Sequence, residues 1–202
     1  MYITVLLAKG GGGKSTTTIN LAATFAAKGL PGIVVDLNPQ QSHSLRYDGS
    51  IPGVEFVKVL PEAAPKGGFV IVDSPPLVEH GVGEALALSD LAIIPCNSQS
   101  PVLESLRNTF DTLFAAQDKN PNLQGCILFN AMDKSPRSEG LMQGIGWITP
   151  FEPLESVIPF KPVHFDKAFD RRVPLVYQNP KSPAAIGFVA AGEQVLKRLR
   201  SK

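Results

Sequence analysis

The sequence predicts an α/β fold with a doubly wound, mostly parallel sheet. Short and continuous apolar runs recur along the chain, as expected of strands that are covered on both faces. Segments with helical spacing of apolar residues separate these runs, which favours parallel strands joined by helices. Several runs end on a carboxylate or amide residue, and ligands of such sheets bind beyond the carboxyl ends of the strands. A binding site is therefore expected at that edge.

The first predicted strand and the first predicted helix lie on either side of a glycine loop. Residues 2–8 form an aliphatic and β-branched run that ends at Lys9 and four glycines. An Ala/Leu-rich helix follows Ser15 and continues to Lys28, where Gly29 is placed as a helix stop. The order strand, glycine loop, helix is the context that a phosphate-binding loop requires.

The remaining elements are predicted from apolar runs and from apolar spacing. Four further core strands are expected at residues 32–36, 69–73, 91–95 and 126–130. The clearest helix is predicted over residues 101–118, with one apolar face formed by Leu103, Leu106, Phe110, Leu113 and Phe114. A terminal amphipathic helix is predicted over residues 184–200, with the apolar residues Ile186, Val189, Val195, Leu196 and Leu199. Residues 140–148 are expected to form a loop or a short helix.

Length and composition favour one domain over residues 1–202. Of the 202 residues, 44% are hydrophobic and 18% are charged, so a disordered chain is excluded. Nineteen basic residues against eighteen acidic residues leave a formal net charge of +1. Binding to nucleic acid or to anionic lipid would therefore need a local basic patch.

The cysteines and the lengths of the apolar runs argue against cysteine-based sites, a membrane span and a signal peptide. Cys96 and Cys126 form no CxxC pair, which argues against a disulfide framework, a zinc site and an iron-sulfur site. No run approaches the ~18 to 20 apolar residues of a membrane span, and the first residues do not resemble a signal peptide. A reduced, cytoplasmic setting is the simpler interpretation.

The glycine loop predicts a binding site for the phosphates of a nucleotide. Glycines let backbone N–H groups converge on phosphate oxygens, and the following helix N-terminus adds positive potential. Lys14 would reach the β- and γ-phosphates, and Ser15 would offer its hydroxyl to Mg²⁺. A flexible glycine turn is the alternative. The residues expected to bind the nucleotide here are Gly10, Gly11, Gly12, Gly13, Lys14, Ser15 and Thr16.

The loop departs at its start from the common GxxxxGK[ST] pattern. Ala8 stands at the first glycine position, and a second lysine, Lys9, precedes the glycines. The segment KGGGGKST resembles the deviant Walker A motif of the ParA/MinD family, which are ATPases with a P-loop NTPase fold. The resemblance implies that Lys9 contacts the nucleotide of the partner subunit in an ATP sandwich dimer. A solvated loop lysine is the alternative.

The resemblance extends along nearly the whole chain. Five segments carry it: residues 16–23 of the first helix, 34–41 at the family's DxDPQ motif, 69–76 at its Walker B segment, 89–95 and 174–185. With no helix-turn-helix extension before the first strand, the chain is expected to be of the short ParA type. This type includes ParF-type partition ATPases and resembles the McdA-like carboxysome-positioning ATPases.

The family motifs imply a metal-binding role for Asp73 and catalytic roles for Asp36 and Asn38, as they do for Lys9 and Lys14 in the loop. Asp73 would polarise the Mg²⁺ shell through water, and Asp36 begins the DxDPQ motif. The second acid of that motif orients or activates the attacking water in the family, and Asn38 stands at that position. An amide resembles a carboxylate in shape but cannot accept the proton.

Two explanations for Asn38 are open. Either the protein hydrolyses ATP slowly by nature, or the chain carries an engineered Asp→Asn change that holds the ATP dimer. The intact remainder of the motifs favours the second explanation. In both cases the prediction is a chain that binds MgATP and dimerises but turns over poorly.

The resemblance also places base recognition after the fifth predicted strand. Asn130 and Asp133 lie where the family contacts adenine, and residues 157–165 are expected to add backbone contacts. A role as a turn residue is the alternative for Asn130.

ATP-bound ParA dimers bind DNA without sequence preference, and two basic clusters late in the chain are predicted to form a combined DNA surface. One consists of Lys161, Lys167, Arg171 and Arg172, and the other of Lys197, Arg198 and Arg200. A solvated charged face is the alternative for any single residue. The basic C-terminal helix also has some likeness to the membrane-targeting tail of MinD.

The function implied by the resemblance is a ParA-type positioning ATPase that uses ATP and Mg²⁺. The expected partners are a second copy of the chain, non-specific DNA and a ParB-like or McdB-like adaptor, and the expected location is the nucleoid. The cargo stays open between a plasmid, a chromosome region and a protein body such as a carboxysome.

A MinD-like membrane-associated ATPase is the alternative function. A small-molecule ligase such as dethiobiotin synthetase is possible by fold alone, but Lys9 and residues 38–40 favour ParA. Nitrogenase iron protein and Mrp-type carriers need paired cysteines, which the chain does not supply.

Overall fold

The computed structural model describes residues 1–38, 43–76, 81–98 and 102–200, without the side chains of residues 102–104. Three predicted features therefore lie outside the described residues: Pro101, the side chain of Leu103, and Gln40 of the DxDPQ-like motif.

Seven parallel strands form one sheet in the order β3-β2-β4-β1-β5-β6-β7. The strands are β1 (Tyr2–Val5), β2 (Gly32–Asp36), β3 (Val54–Val57), β4 (Phe69–Asp73), β5 (Leu91–Cys96), β6 (Gln124–Met132) and β7 (Pro153–Pro159). The predicted α/β class with a doubly wound parallel sheet is confirmed. β1 lies at the centre and ends at Val5, before the predicted Ala8, because the chain turns there into the glycine loop.

The described residues also form seven helices and one 3-10 turn, of which the last three helices follow β7. They are α1 (Lys14–Ala27), the 3-10 turn (Ser44–Tyr47), α2 (Val82–Leu88), α3 (Val102–Gln117), α4 (Pro136–Ile148), α5 (Pro162–Arg171), α6 (Leu175–Gln178) and α7 (Pro183–Arg200). The core on one face joins α1, α6 and α7 to the sheet, and the core on the other face joins α2, α3 and α4 to it. None of these helices is long and apolar enough to cross a membrane.

Both edge strands are additions to the five predicted strands. In β7, Leu154, Ser156 and Ile158 are buried, whereas Glu155 and Val157 between them are exposed. An edge strand that is covered on one face shows this alternation instead of a continuous apolar run. β3 is similarly only partly buried, so a search for continuous runs misses both strands.

Two helix predictions were wrong in part. The segment expected to be a loop or a short helix is the 13-residue helix α4, whose first turn is capped by the Ser135 side chain accepting from the Ser138 N–H. In α7, Ile186 and Val189 are exposed, because alanines and Phe188 form the stripe that faces the core.

Helix α1 is buried over most of its length. Phe25 near its C-terminus meets the Phe69 ring of β4 edge-on, with the ring centroids 5.2 Å apart. In its second turn, the Asn20 side-chain oxygen accepts the Val176 N–H of α6 at 3.1 Å. These contacts hold the helix and the loop before it in a fixed position on the sheet.

Two phenylalanines of α3 can be used to test which face of this helix packs against the core. Phe110 is 4% exposed and Phe114 is 43% exposed, although both rings lie beside Phe151. We expect Phe110→Ala to lower the free energy of unfolding by about 3–5 kcal/mol, because it opens a cavity. Phe114→Ala should cost about 1 kcal/mol. Urea denaturation measures both, and equal losses would contradict the assigned helix face.

Candidate functional site

The glycine loop has a backbone that side chains would obstruct. Gly11 and Gly13 have φ values of 75° and 87°, in the left-handed region that favours glycine. A Cβ atom on Gly12 would collide with the Leu7 side chain, and one on Gly13 would collide with the Asn130 amide. Glycine is therefore favoured by backbone conformation at Gly11 and Gly13 and by close approach of neighbouring side chains at Gly12 and Gly13.

The N-terminus of α1 faces the loop without a cap of its own. The cap position is Gly13, which has no side chain to accept the first N–H groups, and the first turn carries no acidic residue. Unpaired N–H groups and the helix dipole make such an end a binding site for anions. Lys14 is nearly buried there, and its Nζ donates to the Lys9 carbonyl at 2.9 Å and to the Leu7 carbonyl at 3.2 Å.

A cavity of about 460 Å³ opens in front of this helix end. One wall is the loop from Gly10 to Thr16, and another carries Asn38 and Asp73 from the ends of β2 and β4. The far side is formed by the residues His43, Tyr47, Phe165, Asp166, Ala168, Phe169 and Leu175. The structure thus brings together the predicted loop residues, Asn38 and Asp73.

Asp36 and Asp73 lie side by side, since they are register partners at the ends of β2 and β4. Asp36 accepts the N–H groups of Asn38 and Ser44, both at 3.0 Å, so its carboxylate holds the segment after β2. Burial raises the pKa of Asp36, and these N–H groups lower it in part. Asp36 does not line the cavity, so its contacts are those of a residue that positions its neighbours.

The Asp73 carboxylate faces the first turn of α1. Burial raises its pKa to about 6, the Ser15 and Ser44 hydroxyls that donate to it lower the pKa, and the Asp36 charge raises it. Ser44, which donates to Asp73, is not among the residues that the sequence predicted for the site. A serine eight residues after Asp36 carries no motif, and only the folded chain places it against Asp73.

These residues fit a nucleotide phosphate chain with Mg²⁺. The uncapped helix end and the open glycine backbone fit phosphate oxygens, and Lys14 supplies a cation beside them. A hydroxyl from Ser15 and a carboxylate from Asp73 are hard oxygen donors of the kind that Mg²⁺ prefers.

The two residues expected to contact adenine lie away from the cavity walls. Asn130 is buried behind Gly13, and its side-chain oxygen has no hydrogen-bond partner among the described residues. Asp133 accepts the hydroxyls of Ser135 and Ser138 at 2.5 Å, so its carboxylate anchors the start of α4. These hydrogen bonds lower the pKa of Asp133 to about 2.

The two basic clusters lie at opposite ends of the strands of the sheet. Lys161 precedes α5 at the carboxyl end of β6, where the Phe160 N–H donates to the Met132 carbonyl. Arg198 instead donates to the Gln124 side chain at 3.1 Å, at the beginning of β6. A nine-residue strand spans roughly 26 Å. The expected combined surface is therefore not formed within one chain.

The 3-10 turn contacts α5 across the cavity mouth. The guanidinium of Arg46 lies 4.5 Å from the centroid of the Phe169 ring, and the His43 ring lies 6.3 Å from it. The cation–π contact links the segment that touches Asp36 and Asp73 to the helix that carries the first basic cluster.

Comparison with known sequences gives a family match and related proteins. Residues 3–173 match the family model described as CobQ/CobB/MinD/ParA nucleotide binding domain. Maintenance of carboxysome distribution protein A of Halothiobacillus neapolitanus is 29% identical over 64% of this chain and 65% of its own length. Protein ParA of Rhizobium radiobacter is 31% identical over 46% of this chain and 47% of its own length. The chain thus spans less than two thirds of either relative.

Solved structures share the fold at low identity. Cobyrinic acid a,c-diamide synthase from Mycobacterium smegmatis, with bound ADP and magnesium, has a TM-score of 0.75 and 17% identity. That match covers 100% of this chain and 96% of the other. The cell division ATPase MinD of Pyrococcus furiosus has a TM-score of 0.75 and 19% identity, with 97% and 98% of the two chains covered.

Because Asp73 is buried and its pKa is raised, we expect the free energy of unfolding to fall as the pH rises. Its pKa is about 6 in the folded chain against 3.8 ordinarily, so between these values the folded state binds more protons than the unfolded state. Raising the pH through this window should lower the free energy of unfolding by on the order of 3 kcal/mol. Urea midpoints measured from pH 4 to pH 7 test this prediction.

Asp73→Asn should remove most of this fall, because an amide does not titrate. Asp133→Asn is the matched control at an exposed carboxyl with a lowered pKa, and it should keep the fall. An unchanged pH profile in Asp73→Asn would assign the dependence to another group.

Proposed function

Because this chain belongs to the CobQ/CobB/MinD/ParA family of nucleotide-binding domains, we propose that it is a ParA-type, Mg²⁺-dependent ATPase. On ATP it forms a sandwich dimer, binds nucleoid DNA without sequence preference and positions a cargo through an adaptor protein. The observation that carries the proposal is a glycine loop with two lysines, Lys9 and Lys14, that opens onto a cavity beside Asp73.

Each loop residue has a role in holding the nucleotide. The N–H groups of the loop and of the first turn of α1 bind the phosphate oxygens, and Lys14 turns from the Lys9 carbonyl towards the β- and γ-phosphates. Ser15, through its hydroxyl, and Asp73, through its carboxylate, would hold Mg²⁺. When bound, the ion would supply neutralisation of the charge that develops on the phosphates.

Asn38 accounts for slow hydrolysis in this proposal. Asn38 lines the cavity, and its N–H donates to Asp36, so it stands where a residue would orient the attacking water. Its amide can hold that water by a hydrogen bond but cannot take the proton. The ATP dimer is therefore long-lived.

The DNA surface is proposed at α5 and its C-terminal cap. This surface consists of four exposed residues at the carboxyl end of the sheet, where the nucleotide is proposed to bind: Lys161, Lys167, Arg171 and Arg172. Asp166 and Asp170 on the same helix reduce the net charge, so the paired surface of a dimer is needed for firm binding. Relatives named for carboxysome distribution and for ParA support both classes of cargo.

A MinD-like membrane role is less well supported. In α7 the basic residues Lys197 and Arg200 follow Val195 and Leu196, which are buried in the core. A helix that lies on lipid needs a free apolar face, and these residues do not provide one.

Co-sedimentation of the chain with DNA and with anionic liposomes, each with ATP, ADP or no nucleotide, tests the proposal. We expect ATP-dependent retention on DNA of unrelated sequences and little retention on liposomes. Retention on liposomes alone would establish the membrane role instead.

Charge reversal in the basic residues at each end of the strands tests the predicted DNA surface. Arg171→Glu with Arg172→Glu should weaken DNA binding and reduce the slope of log affinity against log salt by about 0.9 for each phosphate that the protein no longer neutralises. Binding of ATP should not change, because neither residue lines the cavity. Lys197→Glu with Arg200→Glu is the matched control at the opposite end of the strands, and it should have a small effect on DNA binding. Equal weakening by both pairs would disprove the placement at α5.

The role of Asn38 predicts a gain of activity on substitution. Asn38→Asp should raise the ATP turnover rate by roughly 10²-fold, since general base catalysis contributes that much or more. Release of phosphate measures the rate, and Asn38→Ala, with neither amide nor acid, is the control. A rate that Asn38→Asp does not raise would disprove this assignment.

A further inference from the structure

We propose that Ser44 is a positioning residue for the Mg²⁺ site, whose hydroxyl and N–H set the Asp73 and Asp36 carboxylates in place. The inference rests on the proposed function, because it describes how the chain prepares Asp73 for a metal bound with nucleotide. Ser44 itself lies behind the cavity wall and acts through Asp73.

Ser44 contacts both carboxylates from one position. Its N–H donates to Asp36 Oδ2 at 3.0 Å, and its hydroxyl donates to Asp73 Oδ2. The side chain is fully buried, so water does not compete for either hydrogen bond. One residue therefore ties the carboxyl ends of β2 and β4 to each other.

The two carboxylates need such donors because they are neighbouring like charges away from water. Asp36 and Asp73 are 2% exposed, and each strand end faces the other in register. Three N–H groups, from Asn38, Ser44 and Leu45, converge on Asp36, whereas the donors to Asp73 are the side chains of Ser15 and Ser44. The orientation of Asp73 thus depends on these two hydroxyls.

The hydrogen bond from Ser44 leaves room for a metal. A carboxylate offers about four lone-pair positions, so one donor at Oδ2 does not saturate it. The hydroxyls of Ser15 and Ser44 both donate to Asp73, and its remaining lone-pair positions would be available to a bound Mg²⁺. Ser44 therefore orients the carboxylate without excluding the ion.

The surrounding turn keeps Ser44 in place. Leu45 donates its N–H to Asp36, and Arg46 stacks on the Phe169 ring of α5. A donor held by its backbone and by a neighbouring helix is ordered before the ligand arrives, which lowers the cost of binding.

Binding of a fluorescent ADP analogue to the full chain, with Mg²⁺ and with EDTA, tests the inference. In the unsubstituted chain Mg²⁺ should tighten ADP binding. Ser44→Ala should reduce this Mg²⁺-dependent gain about tenfold and leave the affinity in EDTA unchanged, since a hydrogen bond to a charged group has that strength. Ser44→Thr should restore the gain because it keeps the hydroxyl.

Ser50→Ala is the matched control. The Ser50 hydroxyl donates to the Tyr47 carbonyl at the end of the same turn and contacts neither carboxylate. This variant should keep the full Mg²⁺ effect. Should Ser44→Ala fail to fold, Ser44→Cys has a similar size with a weak donor, and the same loss is expected of it.

The outcomes separate the inference from the proposed function. A full Mg²⁺ effect in folded Ser44→Ala would overturn the positioning role and leave the proposed function standing. An equal loss of affinity with and without Mg²⁺ would also overturn it, since that pattern marks a general structural defect. If the unsubstituted chain binds no ADP, or binds it without regard to Mg²⁺, the proposed function itself fails.

Discussion

The burial of α1 against the sheet and α7 is the constraint from which the site follows. Leu21, Ala22, Ala23 and Phe25 are fully buried, so the helix has one position and one direction. Its first N–H groups then point past Gly13 into the cavity, and no side chain of the cap residue satisfies them. A buried helix with an unsatisfied end is stable only if water or an anion completes it. The phosphate site is thus a consequence of core packing.

The two carboxylates beside this helix end have different roles despite their similar burial. Backbone N–H groups surround Asp36, and their arrangement belongs to the folded chain itself. Side-chain hydroxyls meet Asp73, and hydroxyls can rotate to admit another partner. The Asp36 carboxylate therefore holds the segment after β2, whereas the Asp73 carboxylate has the partners that a ligand could rearrange. This difference is the reason for proposing a metal-binding role for Asp73 and not for Asp36.

The sequence predicted the centre of the fold better than its edges. Strands β2, β4, β5 and β6 are buried on both faces. A strand buried in this way has a continuous apolar run in its sequence, which is easy to recognise. β3 is only partly buried and β7 is covered on one face only, which leaves weaker patterns in the sequence. Helix α4 contains Gly140, Gly144 and Gly146, and their low helix propensity hid it.

The site was predictable where a motif encodes it locally. The glycine loop, Asn38 and Asp73 follow from residues that are neighbours in sequence or end a buried strand. Ser44 was not predictable, because its hydroxyl meets a residue 29 positions away. The two basic clusters were grouped because both lie late in the sequence, which says nothing about the end of the sheet that a residue reaches. Arg198 and Lys161 are separated by the length of β6.

The central position of β1 also determines when the site can assemble during synthesis. β1 is translated before its partners β4 and β5, which begin at residues 69 and 91. Parallel pairings between such distant segments form slowly. The glycine loop is therefore translated early and becomes ordered late. The part of the cavity's far side from Phe165 to Leu175 is translated later still.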